Sequence, residues 1–118
     1  MAKLPNCENA VADIKKFTEY CLDVDHDTGG PKAQAFRDVL GITLADAEFL
    51  RAVVLDAART MEAVPKGTND YGDKYEITFK MTGLNGNAAM VQTGWIVRAG
   101  EPGPWMTSCY ITRAKKPT

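Results

Sequence analysis

The spacing of apolar residues changes once along the chain, and that change constrains the fold more than anything else in it. Up to Met61 apolar side chains recur at steps of three and four, which places them on one face of a helix. After Gly72 they alternate every second residue, the period of a half-buried strand. One switch, with no return, reads as helices followed by a sheet. This is an α+β arrangement rather than an alternating α/β one.

Three helices are expected. Ala12 to Leu22 puts Ile14, Phe17, Cys21 and Leu22 on one side, with Lys15, Lys16 and Glu19 off it. The Asp/Gly-rich stretch Val24–Gly30 ends this helix. Pro31 suits the first turn of a second helix, where its missing N–H would have no intrahelical partner. Ala33, Phe36, Val39 and Leu40 form its apolar face, and Gly41 is its stop. Thr43 with Asp46 three residues on forms a short capping box. Leu44, Ala47, Leu50, Val54, Ala57 and Ala58 then keep helical spacing to about Met61, and Pro65 and Gly67 close the helical half.

The sheet half begins after Gly72. Tyr75, Ile77, Phe79 and Met81 alternate with Lys74, Glu76, Thr78 and Lys80. Asn85-Gly86 is the strongest short hairpin signal in the chain. As a two-residue turn it sets Met81 against Met90, Phe79 against Gln92 and Tyr75 against Ile96. Val91, Thr93 and Trp95 then share the opposite face with Lys80, Thr78 and Glu76. Ala88–Ala99 is the central return strand, Gly100–Pro104 a second turn and Trp105–Thr112 a further strand, leaving a frayed tail from Arg113. The expectation is one domain over 1–118. About three N-terminal helices pack on one face of a small antiparallel meander of three to four strands, and the open face carries polar groups around Trp95.

Bulk properties exclude several classes. A net charge of -1 and a pI near 5.8 provide no global attraction to nucleic acid or anionic lipid. The charge is split, however: residues 1–65 balance at -4 and residues 66–118 at +3. An acidic helical half and a mildly basic sheet half suit a sheet that meets an anionic ligand, or ordinary surface scatter. Cys7, Cys21 and Cys109 lie at no metal-like spacing, and a single histidine does not complete a zinc site with them. They read as small buried apolar residues of a protein in a reducing cytoplasm. No metal or other cofactor is expected. No apolar run is long enough for a membrane span, and Met1–Ala10 lacks the apolar core of a signal peptide.

Seven residues are candidates for chemistry. His26 can exchange protons near neutral pH. Lys32, in the first turn of the second helix, combines a cation with free backbone N–H groups. Ser108 and Tyr110 are two apart on the last strand and so share a face. Arg98 can fork onto phosphate. Trp95 can stack a base or fill the core, and Thr93 lies two residues before it on the same face. Each also has an ordinary structural account.

Read together, certain motifs resemble those of an uncharacterised bacterial domain family also found at the C-terminal ends of polymorphic toxins. They are Tyr20-Cys21-Leu22, His26-x-x-Gly29-x-x-Lys32-Ala33-x-x-Phe36, Leu40-Gly41, Tyr71-Gly72-x-x-Tyr75, Thr93-Gly94-Trp95-Ile96-Val97-Arg98 and Ser108-Cys109-Tyr110. The order of elements is similar to that of the barnase/EndoU/colicin/RelE-like ribonuclease toxins. That resemblance implies a metal-independent endoribonuclease with His26, Lys32, Ser108 and Tyr110 as catalytic residues and Arg98, Trp95 and Thr93 as substrate contacts. It also implies RNA and a neutralising antitoxin or immunity protein as partners. An arginine or similar polar group is expected after Pro104, where this chain has Trp105, and Arg98 is the candidate substitute. The alternative is a non-catalytic interaction module, which the near-neutral charge favours.

Overall fold

A computed structural model of the chain describes residues 3–23, 25 and 30–112, with the Pro31 side chain excepted. His26 and the tail from Arg113 lie outside the described residues. The architecture is α+β. Helices drawn mostly from the N-terminal half cover one face of a four-stranded antiparallel sheet in the order β1-β2-β3-β4.

Helix α1 is one turn, Ile14–Lys16, capped by the Asp13 carboxylate accepting from Lys15 N, and it runs into a π-helical turn over Phe17–Cys21. Helix α2 spans Gly30–Leu40 and starts one residue ahead of Pro31. Helix α3 spans Ala47–Thr60 after a 3₁₀ turn at Leu44–Asp46, and the expected Thr43/Asp46 capping box is formed. The predicted apolar faces are buried except at their margins: Val39 and Leu44 are exposed, because each falls at the edge of its stripe. Phe17, Cys21, Phe36, Leu40, Leu50 and Val54 meet Ile77, Phe79, Met81, Val91, Trp95 and Cys109 in one core.

Strands β2 (Gly72–Thr82), β3 (Ala88–Val97) and β4 (Trp105–Ile111) fall close to their expected places. Strand β1, Val64–Asn69, stands where Pro65 and Gly67 are expected only to close the helical half. Both residues are tolerated there because β1 is an exposed edge strand with a register irregularity at Lys66. At the other edge Val11 bridges to β4, accepting from Met106 N at 2.9 Å and donating to Pro104 O at 2.8 Å. The lead segment thereby covers part of that edge.

The register of the central hairpin corrects the sequence reading. Met81 lies opposite Ala89, Phe79 opposite Val91 and Tyr75 opposite Trp95, one residue away from the expected pairing. The loop is five residues long, Gly83–Asn87, closed by Gly83 N donating to Asn87 O at 2.7 Å. It is longer than Asn-Gly alone suggests because it caps α2. Leu84 N donates to Leu40 O at 2.9 Å, and the Asn85 and Asn87 amides donate to Val39 O at 3.1 and 3.2 Å. These bonds satisfy carbonyls that a helix end leaves without intrahelical partners. A one-residue shift turns every side chain of the strand to the other face. Val91, Thr93 and Trp95 therefore enter the core, and Gln92 and Gly94 take the open face.

Candidate functional site on the open sheet face

The shift turns two expected substrate contacts, Trp95 and Thr93, toward the core. Trp95 is 1% exposed and Thr93 0%. Trp95 Nε1–H donates to Thr93 Oγ1 at 2.8 Å, and the Thr93 hydroxyl donates to Ile77 O at 3.0 Å. These bonds satisfy both polar groups inside the core. Thr93 is closed off from the open face, while Trp95, with 1% of its surface exposed, still borders the hollows there; the polar surface expected around it is built by other residues.

What occupies the open face follows from the pairing. Gly94 lies between Glu76 on β2 and Ser108 on β4, and Gln92 lies beside Tyr110. A Cβ on Gly94 would stand 2.7 Å from Ser108 Oγ and 2.9 Å from Thr107 Oγ1. The missing side chain is thus what lets two hydroxyls close over the strand. Glu76 is held from both sides: Gln92 Nε2 donates to it at 2.6 Å and Lys66 Nζ lies 3.9 Å away. These residues line a groove of about 370 Å³ that includes Lys74, Tyr75, Thr107, Ser108 and Tyr110.

Lys32 joins this group from the opposite layer. Its Nζ sits 4.6 Å from the centroid of the Tyr110 ring, within cation–π range. Tyr110 faces the open side while α2 covers the other, so the contact is made at the β4 edge. Of the four expected catalytic residues, Ser108 and Tyr110 share the groove and Lys32 meets Tyr110, though it is not among the residues that line the groove. His26 lies outside the described residues.

Behind these strand residues, on the core face, Cys109 meets Cys21. The Cys109 thiol donates to the Cys21 sulfur, which pulls the Cys21 thiol below its ordinary value against the opposing effect of burial, with further help from the charges of Lys16 and Lys32. The same hydrogen bond, with burial, pushes Cys109 well up. Both thiols are free, as is the partly exposed Cys7. Among the described residues no cluster of His, Cys, Asp and Glu could hold a metal ion, and no helix is long and apolar enough to cross a membrane.

Arg98 is exposed just beyond the end of β3. It lines a second cleft of about 450 Å³ with Asn69, Tyr71 and Ile96, and Lys74, Trp95 and Thr107 line both hollows. Sequence reasoning missed Lys66, Tyr71, Lys74, Glu76, Gln92 and Gly94 as site residues. Gln92 was legible only through the correct register, Glu76 already stood on the open face by the alternation of β2, and Lys66 sits on a strand that carries no apolar alternation.

The matching profile covers residues 3–113 and is described only as a domain of unknown function. The chain belongs to the DUF6883 family. Comparison with curated proteins finds no match. A solved contact-dependent growth inhibition toxin–immunity protein complex from Klebsiella pneumoniae 342 contains a chain of similar structure. The TM-score is 0.68 at 15% identity, over 92% of this chain and 98% of that one. At that identity the likeness is one of fold.

Proposed function

We propose that this chain is a toxin-type domain that cleaves RNA without a metal, using the groove on the open sheet face. The observation that supports this reading is the seating of Lys32 on Tyr110, which shares the groove with Ser108, so that a helical and two strand residues of the kind such a reaction needs lie close in the fold. The fold it shares with a chain of a toxin–immunity complex adds to it. In this reaction the RNA 2′-hydroxyl attacks the adjacent phosphorus and the 5′-oxygen leaves. Lys32 stabilises charge on the non-bridging oxygens, the Ser108 and Tyr110 hydroxyls position the phosphate, and His26 exchanges the protons. An acidic immunity-type protein is the partner that would neutralise such a groove.

The test is cleavage of end-labelled RNA in excess EDTA. The wild-type chain should cut, and Lys32→Ala and Tyr110→Phe should each lose about 10²-fold or more, the range for removing a group that stabilises transition-state charge. Full activity in both variants would refute the assignment. Absence of cleavage by the wild-type chain would favour a non-catalytic interaction module, the reading supported by the net charge of -1.

A further inference from the structure

We propose that the cleft formed by Tyr71, Lys74 and Arg98 is a binding subsite for one nucleotide of single-stranded RNA, adjoining the Ser108/Tyr110 groove. Tyr71 stacks the base while Arg98 and Lys74 hold the phosphate. The subsite rests on the reading of the chain as an RNA-cleaving domain and extends it to the form of the substrate.

Tyr71 is 72% exposed, the most exposed of the large hydrophobic side chains. It is also held in place. It sits in the two-residue turn between β1 and β2, where the Asn69 side chain accepts from Tyr71 N at 2.7 Å and Gly72 N at 3.1 Å. A Cβ on Gly72 would collide with the Val97 carbonyl, so the turn is packed directly against the end of β3. The ring is therefore presented to solvent on a braced backbone, which limits the ordering cost of binding.

The charges beside it are uncommitted. Lys66 is paired with Glu76, whereas neither Lys74 nor Arg98 makes an ion pair among the described residues. The nearby Asp73 carboxylate accepts from the Thr68 hydroxyl at 2.8 Å. Across the two hollows Lys66, Lys74 and Arg98 face one acid, Glu76. A cleft of about 450 Å³ is within the size range of small-ligand sites. An aromatic platform beside two cations is the chemistry that tracks a single strand, because every base has a π-face to stack and every linkage a phosphate to pair. A duplex keeps its bases stacked on each other and cannot offer that face. Lys74 and Thr107 are common to both hollows, so one strand can run from the subsite into the groove.

Binding is measured by fluorescence anisotropy with a labelled 2′-O-methyl hexauridylate, which lacks the attacking hydroxyl, and with a 2′-O-methyl duplex. The wild-type chain should bind the single strand more tightly. Tyr71→Ala should weaken that binding about 5- to 150-fold while Tyr71→Trp retains it, the range for loss of one base–aromatic stack. Arg98→Ala should reduce the slope of log K against log salt by about 0.7, one single-strand phosphate. Wild-type affinity in Tyr71→Ala, equal affinity for duplex, or no binding of the hexamer would each overturn the subsite. The uncleavable probe separates the two proposals. Tyr71-dependent binding by a chain that cuts no RNA sinks only the cleavage reading. Cleavage with Tyr71-independent binding sinks only the subsite.

Discussion

Thr93 is a polar residue at 0% exposure whose single hydroxyl accepts from the Trp95 indole N–H and donates to Ile77 O. Thr93→Val keeps the shape and removes both bonds. The bond to Ile77 O contributes about 0.5–1.5 kcal/mol net, and leaving the indole N–H buried without its Thr93 acceptor costs about 1–3 kcal/mol. The added methyl offsets about 0.8 kcal/mol. The expected loss is about 2 kcal/mol. At an unfolding entropy of about 2.1 cal/mol/K per residue, that lowers Tm by about 8 °C for a chain of 118 residues. Thr93→Ser keeps the hydroxyl and should lose only about 1 kcal/mol, for the methyl. In a Trp95→Phe background, where there is no N–H left to orphan, Thr93→Val should cost clearly less than in the wild-type chain. Urea unfolding of the wild-type chain and the four variants measures all of these. A Thr93→Val protein within 0.5 kcal/mol of wild type, or a Ser variant as damaged as the Val variant, would refute the hydrogen-bond account.

Three further outcomes are expected. Gly83→Ala should destabilise by about 2–3 kcal/mol in urea unfolding, because the new Cβ would lie on the backbone of Leu40, which cannot rotate away. Gly94→Ala meets only the Ser108 and Thr107 hydroxyls, which can rotate, so its midpoint should stay within about 1 kcal/mol of wild type while RNA cleavage falls. In Cys21→Ala only burial still acts on Cys109, whose folded-state value stays above its unfolded one. Stability should then be fully present below about pH 9 and decline as pH rises further, and Cys21→Ala/Cys109→Ala should abolish that slope.

The helices and three of the four strands were legible because their burial is one-sided, so apolar period and face coincide. The strands of the central hairpin were legible as well, but not how they pair. Asn85-Gly86 is a local turn signal, whereas the loop actually formed is chosen by a distant partner, the open carbonyls of Val39 and Leu40. No local pattern reports that. The error passed directly to the site: it puts Trp95 and Thr93 on the ligand face beside Glu76, and turns Gln92, which does face outward, toward the core. Lys32, Ser108 and Tyr110 escaped it because α2 and β4 lie outside that pairing. Strand β1 was lost for a different reason: every one of its residues is exposed, so it has no buried face to betray it.

Helix α2 links both ends of this arrangement. Its C-terminal carbonyls hold the hairpin loop, and its N-terminal Lys32 meets Tyr110. From Lys32 to Leu40 eight helical residues advance about 12 Å. From Ala88, where the loop ends, to Gln92, the cross-strand neighbour of Tyr110, four strand residues advance about 13 Å. The two lengths agree to within less than one strand residue, so a single register lets the loop cap the helix while Lys32 reaches the ring. A slip by one residue would move the strand about 3.3 Å and turn Gln92 and Gly94 inward. The same contacts that satisfy the end of α2 thus decide which residues stand beside Ser108 and Tyr110. This ties the chemistry of the open face to a helix packed on the other side of the sheet.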